Sequence, residues 1–475
     1  MQSRILEPSE INFKDRLTVE HYISKDFQLI KQVSKSIYPV VKLGKIAAIK
    51  GGKRLPRKTR YSPTGIPYVR VVDIGESEVY LSNVVYIYYQ VHDKIKQYQL
   101  MYNYLALVIV GATIGKAAIF KSSVHPCNFN ENISRITVKD KNLNPEYILA
   151  YLKSGFGQAY IRWLTGGAAQ AKLSIERIAK IEVPLPSSLI QDEISKIMQD
   201  AYAVWQQKLE KAEQLVENIE TYILEILGIH YDFPKDEHRF MIQRSQLYRA
   251  DVRYFLPFYA QLEQIMHDGI YPTRAIGTIC EKLSNGLTPP QVGYTEKGCL
   301  VIKVASLTKR WYIDWKKVAF TSEEFLKQAQ KYHIKDGDIV MLSSSHQLNY
   351  IGRSFAIVRD IPKNYIGQCM AVGELIIIRV NHQIVIPEYL LACFIMKPIQ
   401  ELINRMSRGQ TAHLYAEDLQ HLRLPIPPIE IQQAIVDELE KRRTEGSLLQ
   451  VEADQLLIHA KARVERMILG EEDVT

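Results

Sequence analysis

The chain contains Val183-Pro-Leu-Pro186 followed by Gln191-Asp-Glu-Ile194, and the same order returns as Leu424-Pro-Ile-Pro427 followed by Gln432-Gln-Ala-Ile435. In both places a proline-bounded extended segment leads into a long stretch of apolar residues with helical spacing. A repeat of this length is typical of a duplicated domain and not of a solenoid. The sequence therefore predicts one structural unit that occurs twice.

Weaker matches extend the repeat over most of each half. The matched pairs are Tyr38-Pro39 with Tyr271-Pro272, residues 65–71 with 298–304, Ile114-Gly115-Lys116 with Ile351-Gly352-Arg353, and Pro145-Glu146-Tyr147 with Pro387-Glu388-Tyr389. Each match is weak alone, but all of them follow one another in the same order. The duplication therefore includes the regions before the long helices.

Both copies have the same predicted layout. Runs of β-branched and aromatic residues predict strands at 66–73, 105–110 and 116–120 in the first copy, and at 300–305, 338–341 and 354–358 in the second. A helix follows at 145–164 and at 387–406, because Pro145 and Pro387 suit a first helical turn. An extended crossing at 181–186 and 422–428 then leads to the long helix.

The long helices are expected at about 189–227 and about 429–469. Apolar residues recur in them every three or four positions, as in a coiled coil: Leu209, Ala212, Val216, Ile219, Ile223 and Ile226, then Ile431, Ile435 and Leu439, and finally Leu449, Ala453, Leu456 and Ala460. Gly446 is a predicted weak point and Gly228 a predicted C-cap. Each helix either packs on its own domain or pairs with the other. The spacing favours pairing, as rods of roughly 60 Å.

Composition and charge exclude several classes of protein. The chain has 475 residues, of which 47% are hydrophobic and 24% charged, so it is neither disordered nor of low complexity. A net charge of +8 permits a nucleic-acid partner without requiring one. The five cysteines form no CxxC pair, and the start lacks the apolar region of a signal peptide. We expect a cytoplasmic protein with reduced thiols.

No catalytic motif is complete. Gly111-Ala-Thr-Ile-Gly115-Lys116 resembles a phosphate loop but has three residues between its glycines, and Ala117 replaces the hydroxyl residue that would bind magnesium. It is interpreted as a turn between strands. No amino-methyltransferase tetrapeptide, nuclease arrangement or HExxH spacing is found. The sequence thus predicts a protein without catalytic or metal-binding residues of its own.

A concentrated basic segment is the strongest candidate for contact with nucleic acid. Between Lys42 and Arg70 there are nine basic residues and no acidic one. The candidate contacts, interpreted as a loop broken by Gly and Pro, are Lys50, Lys53, Arg54, Arg57, Lys58 and Arg60. Such a loop can follow phosphates or bond guanine edges. The alternative is a solvated basic surface.

Weaker candidates lie in the second copy. They are Lys309 and Arg310 beside Trp311 and Trp315, His346 and Gln347 in a polar loop, and Arg408, Gln410 and Thr411 after the domain helix. Each has a structural alternative, since Trp311 and Trp315 suit strand packing and the last group suits a turn. The loop at 282–291, which corresponds to the basic loop, is polar, and this divergence suits two readers of different sequences.

Taken together, these motifs resemble the DNA-specificity subunit of Type I restriction–modification systems. The resemblance covers nearly the whole chain and depends on the order Gly167, Val183-Pro-Leu-Pro186, Gln191 and Ile194, which recurs at Gly409, Leu424-Pro-Ile-Pro427, Gln432 and Ile435. Ala168 and Ala169 depart from the Gln-Thr or Gln-Pro type of turn that is common in the family.

The resemblance implies an α+β protein with two pseudo-symmetric α/β target-recognition domains, joined by two long helices that pair as an antiparallel coiled coil. The expected boundaries are 1–187 and 229–427 for the recognition domains with the connector, and 188–228 and 428–475 for the spacer helices. Each domain would read half of a bipartite site in double-stranded DNA, with half-sites roughly 34–36 Å apart.

The resemblance also implies partners. Two methyltransferase (modification) subunits would dock on the helices, and restriction/translocase subunits would join them. S-adenosylmethionine, ATP and magnesium would belong to those partners, and no cofactor is expected in this chain. Two other functions stay open: a coiled-coil adaptor without sequence-specific DNA binding, and an enzyme whose site the motifs do not reveal.

Overall fold

The computed structural model describes residues 24–165, 172–232, 241, 252–347, 350–409 and 412–473. The chain divides into two compact units. Unit 1 consists of Met1–Leu209 with Gln450–Thr475, and unit 2 consists of Glu210–Leu449. Each unit therefore combines one β-rich region with parts of both long helices.

The α-helices alternate with groups of strands along the chain. In chain order they are α1 Lys25–Val33, α2 Leu43–Ile46, α3 Tyr89–Ile95, α4 Pro145–Lys153, α5 Gly155–Thr165, α6 Ile175–Ile178, α7 Ser188–Leu227, α8 Pro257–His267, α9 Ile276–Ile279, α10 Glu323–Gln328, α11 Pro387–Ile395, α12 Lys397–Met406, α13 Ala416–Leu419 and α14 Ile429–Leu469. None of the helices in the described ranges is long and apolar enough to cross a membrane.

Unit 1 contains a four-stranded sheet, a three-stranded sheet and a two-stranded pair. Its strands are β1 Val40–Lys42, β2 Ala47–Gly51, β3 Ile66–Val69, β4 Val85–Ile87, β5 Leu105–Val108, β6 Ala117–Ile119, β7 Asn128–Phe129, β8 Ile133–Val138 and β9 Glu182–Pro184. The large sheet has the order β2-β8-β5-β6, and all its neighbours are antiparallel. The smaller sheet, β4-β3-β7, pairs β3 with β7 in parallel, and β1 pairs with β9.

Unit 2 repeats this topology. Its strands are β10 Thr273–Ala275, β11 Cys280–Asn285, β12 Tyr294–Thr295, β13 Cys299–Ile302, β14 Ala319–Thr321, β15 Ile339–Leu342, β16 Ser344–Ser345, β17 Phe355–Ile357, β18 Cys369–Ala371, β19 Leu375–Val380, β20 Ala412–His413 and β21 Arg423–Pro425. The order β11-β19-β15-β17 matches the large sheet of unit 1 strand by strand. β13 and β18 repeat the parallel pair, and β10 with β21 repeats the two-stranded pair. The predicted duplication is confirmed.

Two sequence predictions need correction at the ends of elements. The strand predicted at 66–73 stops at Val69 and is followed by the 3-10 helix Val71–Asp73, because the Asp73 carboxylate accepts a hydrogen bond from Arg70 N at 2.7 Å. Unit 2 behaves alike, with the 3-10 helix Val304–Ser306 after β13. A short polar cap, which a strand pattern does not reveal, therefore ends both strands.

The single helices predicted at 145–164 and 387–406 are wrong, because each is broken into two. Ser154 adopts an extended conformation between α4 and α5, and its hydroxyl oxygen accepts a hydrogen bond from Gly157 N at 3.3 Å. In unit 2 Met396 is extended, and Pro398 follows in the first turn of α12. Both breaks occur inside a continuous apolar pattern, which is why helical periodicity missed them.

The long helices are confirmed, and Gly228, with φ of +63°, follows the last residue of α7. Within unit 1, Lys208 of α7 pairs with Glu452 of α14 at 2.7 Å, and Trp205 Nε1 donates to Asp454 Oδ1 at 3.2 Å. The partner's number rises as the α7 number falls, so the two helices are antiparallel. The predicted antiparallel pairing is therefore confirmed within unit 1.

Unit 2 has the same pairing. Lys211 of α7 lies 3.8 Å from Glu445 of α14. α14 continues through Gly446, which is buried; a Cβ built there would lie 3.4 Å from Ala212 O of α7. The predicted weak point is instead a position of close approach between the two helices.

The long helices also contribute residues to the hydrophobic cores. They therefore pair with each other and also pack on the β-rich regions, so both interpretations of the sequence are correct. The core of unit 1 takes Ile194 and Met198 from α7, and Val464 and Met467 from α14. The core of unit 2 takes residues from the later part of α7 and the earlier part of α14; they include Ile219, Ile223, Leu227, Ile435 and Leu439. Each helix thus serves both units in turn.

Candidate nucleic-acid interface

The basic loop of unit 1 leaves β2 at a tightly packed glycine. Gly52 N donates to Ile133 O at 2.9 Å, and a Cβ at Gly52 would lie 1.9 Å from the backbone oxygen of Asn130. The Tyr68 hydroxyl then donates to Lys53 O at 2.8 Å. These contacts fix the base of the loop on the strands, so its side chains project from a defined position.

The tip of the loop carries uncompensated positive charge. Lys53, Arg57, Lys58 and Arg60 are exposed, and among the described residues no carboxylate lies within ion-pair distance of them. Arg54 differs, because its Nε donates to Glu131 Oε1 at 2.5 Å although its side chain is 81% exposed. That hydrogen bond and the Glu131 charge raise the pKa of Arg54. The loop therefore presents exposed cations to the solvent, as its sequence predicts.

Lys50 lies in strand β2 and not in the loop, which corrects the sequence interpretation. It is the cross-strand partner of Arg135 on β8, and its ammonium lies 5.2 Å from the centre of the Tyr98 ring. Arg135 Nη1 donates to Gln99 O at 2.6 Å, and burial lowers the pKa of its guanidinium. The basic face therefore continues from the loop onto the sheet. Arg135 was missed because it is an isolated charge in a strand pattern.

The corresponding loop of unit 2 is attached at the same places. A Cβ at Gly286 would lie 2.3 Å from Ala371 O, so this glycine matches Gly52. Thr288 Oγ1 donates to Glu374 Oε2 at 2.9 Å and accepts a hydrogen bond from Gly373 N at 2.8 Å. A hydrogen bond from the uncharged Thr288 to a glutamate thus takes the place of the Arg54–Glu131 ion pair of unit 1.

Beside this loop lies an open, largely basic cleft of about 790 Å³. Lysine and arginine side chains from separate segments line it, namely Lys282, Lys331, Lys335 and Arg379, together with the polar Asn285 and the acidic Glu281. Lys282 Nζ and Arg379 Nη2 each donate to His333 O at 3.2 Å. Arg379 also pairs at 2.7 Å with Asp338, which is only 1% exposed. The loop of unit 2 is polar, as predicted, but the face around it is basic.

Three sequence candidates of unit 2 lie next to this face. Exposed His346 and Gln347 follow β16, which pairs with β20, and the Arg408 backbone exchanges hydrogen bonds with His413 of β20. Asn285 Nδ2 donates to Ser343 Oγ at 3.2 Å and so connects the cleft with this loop. Gln410 and Thr411 lie outside the described residues.

Arg408 is exposed but not uncompensated. Its guanidinium pairs with Asp418 and Glu417 and lies 5.4 Å from the centre of the Tyr415 ring. The hydrogen bond from Arg408 to Asp418 raises the pKa of the guanidinium. DNA would therefore compete with these two carboxylates for Arg408.

Lys309 and Arg310 lie in a different environment, where the chain meets helix α14. Arg310 Nη1 donates to Ser447 Oγ at 3.0 Å, and the neighbouring Trp311 stacks on Phe355 with ring planes 8° apart. Lys309 is exposed. The packing interpretation that the sequence left open for Trp311 agrees with this geometry.

The other motifs of the sequence are structural. Gly111-Ala-Thr-Ile-Gly115-Lys116 joins the antiparallel strands β5 and β6, which confirms the turn interpretation. All five cysteines are free thiols. Over the described parts of the chain, no three His, Cys, Asp or Glu side chains are grouped so that they could hold a metal ion.

Comparison with known proteins adds the following. The Type I restriction modification DNA specificity domain matches residues 36–218 and 271–449, more than half of the chain. The Type I restriction enzyme EcoBI specificity subunit of Escherichia coli is 27% identical over 139 residues, which are 29% of this chain and 29% of that relative. The match thus spans less than a third of that relative's length.

Two solved structures match most of the chain. One is a chain from a structure of the assembly and conformational transition of the type I R-M system, with 14% identity and a TM-score of 0.48, covering 91% of this chain and 96% of that chain. The other is a Type-I restriction-modification system S subunit from M. genitalium, with 13% identity and a TM-score of 0.41, covering 93% and 97%. With the specificity-domain match extending over both units, the chain belongs to the Type I restriction modification DNA specificity domain family.

Proposed function

We propose that the chain is the DNA-sequence-specificity subunit of a Type I restriction–modification complex. Each β-rich region, at 1–187 and within 229–427, reads one half of a bipartite site in double-stranded DNA. Helices α7 and α14 set the spacing of the half-sites and dock two methyltransferase subunits, and restriction/translocase subunits join this assembly. The complex works in the cytoplasm, and S-adenosylmethionine, ATP and magnesium are bound by the partner subunits.

The observation that carries this proposal is the duplicated basic face. In both units a loop leaves an edge strand of the large sheet at a tightly packed glycine, Gly52 or Gly286. In both units an arginine of the strand beside that edge strand, at a different position in each, donates to a backbone oxygen: Arg135 of β8 to Gln99 O, and Arg379 of β19 to His333 O. Two faces of one design, in a family of DNA specificity domains, suit two half-sites.

The side chains of the two faces differ in a way that suits different sequences. Unit 1 offers the flexible cations Arg57, Lys58 and Arg60, which can contact phosphates and guanine edges. Unit 2 offers Asn285 in the cleft and Gln347 in the adjacent loop, whose amides can pair with adenine edges. Lys309 and Arg310, on the side that faces α14, fit DNA contact less well than these residues.

The proposal is tested by mapping methylated DNA in host cells with and without the gene. Loss of a two-part methylated motif on deletion supports it. Replacement of Arg57, Lys58 and Arg60 by Ala should then weaken or change one half of the motif and leave the other half and the spacer intact. Replacement of Lys25, Lys35 and Lys141, three exposed lysines elsewhere in unit 1, is the matched control and should change neither half.

The adaptor function makes a different prediction. The logarithm of DNA affinity falls with the logarithm of salt concentration, and each cation that neutralises a phosphate contributes about 0.9 to the steepness of that fall. Replacement of Arg57, Lys58 and Arg60 should therefore make the affinity of the purified complex less dependent on salt. An adaptor would bind DNA weakly or not at all, and the replacement would leave the slope unchanged. Unaltered methylation after deletion, without co-purifying methyltransferase, would favour the adaptor.

A further inference from the structure

Unit 1 contains a cavity that the recognition function does not use. It has a volume of about 480 Å³ and lies between β6, α4 and the first part of α7, with Ser77, Met198, Tyr202 and Trp205 among its lining residues. Cavities of roughly 300–1,000 Å³ are typical of small-molecule sites. The lining is mixed: it contains apolar and aromatic side chains together with a few charged groups.

The duplication shows what occupies the equivalent space in unit 2. Glu78 forms a parallel bridge with Ile119 in unit 1, and Tyr312 forms the same bridge with Ile357 in unit 2. Because Ser77 precedes Glu78 and Trp311 precedes Tyr312, the small Ser77 of unit 1 stands where unit 2 has an indole ring.

A second equivalence concerns the long helices. Gln191 Nε2 donates to Pro186 O, and Gln432 Nε2 donates to Pro427 O, both at 2.9 Å. Tyr202 lies eleven residues after Gln191 in α7, and Arg443 lies eleven residues after Gln432 in α14. The two residues therefore occupy equivalent positions of the two helices.

In unit 2 these residues fill the space. Trp311 stacks on Phe355, and Arg443, which is 7% exposed, lies with its guanidinium carbon 3.8 Å from the centre of the Tyr312 ring. Arg443 also pairs with Glu440 at 2.9 Å. The equivalent space therefore accepts a flat aromatic ring together with a cation that donates hydrogen bonds.

Polar groups at the cavity of unit 1 lack such a partner. Within the described structure, the buried Tyr202 hydroxyl and Glu146 Oε2 have no hydrogen-bond partner, and both residues line the cavity. Lys153 already lies over the Tyr202 ring at 4.9 Å, and Lys121 pairs with the other oxygen of Glu146. Buried polar atoms are costly to leave unpaired, so a ligand that donates hydrogen bonds would be stabilised here.

The charges point to the same class of ligand. Of the three carboxylates that line the cavity, Glu76 pairs with Lys116 and Lys153, and Glu146 pairs with Lys121. For Glu78 the described residues provide no ion-pair partner, so its carboxylate is available to a cation. We propose that the cavity of unit 1 binds a small planar aromatic compound that carries a cationic amine, in the space that Trp311 and Arg443 fill in unit 2. This site is independent of the DNA-binding faces.

Tryptamine, an indole ring with an ammonium group, is the probe. Isothermal titration of the full chain should show one tryptamine bound per chain with a dissociation constant in the high-micromolar to millimolar range. Indole-3-acetate, which has the same ring and a negative charge, should bind at least about tenfold more weakly. Equal binding of both compounds, or no binding of millimolar tryptamine, would overturn the proposal.

Variants locate the site. Ser77→Trp fills the cavity as Trp311 does in unit 2 and should abolish tryptamine binding, whereas Ser123→Trp, at an exposed serine outside the lining, should not change it. Tyr202→Phe removes only the unpaired hydroxyl and should weaken binding about fivefold. If Ser77→Trp does not fold, Tyr202→Phe decides alone. Unchanged affinity in Tyr202→Phe, or in folded Ser77→Trp, places the amine elsewhere and refutes the site.

Discussion

The loop that follows β2 and the loop that follows β11 differ in composition far more than in attachment. Both leave the sheet at a glycine that packs against backbone, Gly52 in unit 1 and Gly286 in unit 2. In both, a loop residue donates a hydrogen bond to a glutamate: Arg54 to Glu131 in unit 1, and Thr288 to Glu374 in unit 2. The residues beyond these points are basic in one loop and polar in the other.

This contrast distinguishes the residues that attach each loop to the sheet from the residues that differ between the two loops. The glycines and the glutamate contacts fix where each loop begins, while the cations at the tip of the first loop are exposed. Exchange of the tip residues is therefore expected to cost little stability, so two copies can come to read different sequences without altering their common fold.

The largest effect is expected at a buried ion pair of unit 2. The Asp338 carboxylate pairs with Arg379 and accepts a hydrogen bond from Lys335 N at 2.8 Å, whereas strand register places Tyr104 and Thr137 at the equivalent positions of unit 1. Asp338→Ala should lower the free energy of unfolding by about 3–5 kcal/mol, because it leaves the Arg379 guanidinium, which is only 17% exposed, without its carboxylate partner.

Chemical denaturation of the full chain measures this loss. Asp336→Ala is the control, since Asp336 pairs with Arg359 but is 55% exposed; the loss there should stay below about 1 kcal/mol. Equal losses in the two variants would mean that the buried pair does not hold the cleft of unit 2 together.

The next effect tests the shared attachment of the loops. Gly52→Ala and Gly286→Ala should each cost about 3 kcal/mol, because the new Cβ would lie 1.9 Å or 2.3 Å from a backbone oxygen that cannot move aside easily. Gly51→Ala is the matched control: its Cβ would meet only the end of Ile175 at 3.4 Å, so the change should stay within about 1 kcal/mol. Equally mild results at all three glycines would contradict the common attachment.

A pH effect distinguishes the two units at the helix α4 position of Lys153, where unit 2 has Ile395. Burial lowers the pKa of Lys153 to about 8 from an ordinary value of 10.5. The folded chain therefore releases this proton at a lower pH than the unfolded chain, so this group stabilises the fold increasingly as the pH rises from about 8 to about 10.

Denaturation at several pH values checks the sign. Relative to Lys153→Ile, the wild-type free energy of unfolding should rise by about 2 kcal/mol between about pH 8 and about pH 10. The variant removes this titration and leaves all other groups, so it serves as the reference. A difference that falls or stays flat with pH would show that Lys153 is well solvated.

The smallest effect is expected for the hydrogen bonds of Thr288, which attach the loop of unit 2. Thr288→Val removes the hydroxyl that joins Glu374 and Gly373, and should cost about 1 kcal/mol. Thr295→Val, at an exposed position of β12, should be nearly neutral. If the Thr288 variant is as stable as its control, the glutamate contact does not help to hold the loop.

Features with local spacing could be predicted from the sequence. The duplication, both long helices, their mutual pairing and the C-cap at Gly228 follow from periodicity and from glycine and proline positions, whereas the antiparallel direction was implied by the family resemblance. The basic loop was visible for the same reason, since its cations are consecutive in sequence. These properties depend on residues that are near one another along the chain.

Features formed by segments that are distant in sequence could not be predicted from it. The cleft of unit 2 brings together Lys282, Lys331 and Arg379, which meet only when β11 pairs with β19. The difference between Ser77 and Trp311 gains meaning only from the bridges that align the two copies. Charges that are isolated in sequence gave no signal of a shared face.

The sharing of both long helices by the two units has a consequence for synthesis on the ribosome. Unit 2 is contiguous, so all its residues have been made once Leu449 is added. Unit 1 begins earlier but lacks Val464, Met467 and Ile468 of its core, and the contact of Ser36 with Ile468 O at 2.9 Å, until translation of α14 is almost complete. The half that is translated first is therefore the last to have its core residues complete, so part of its apolar surface stays uncovered until the end of α14 has been made.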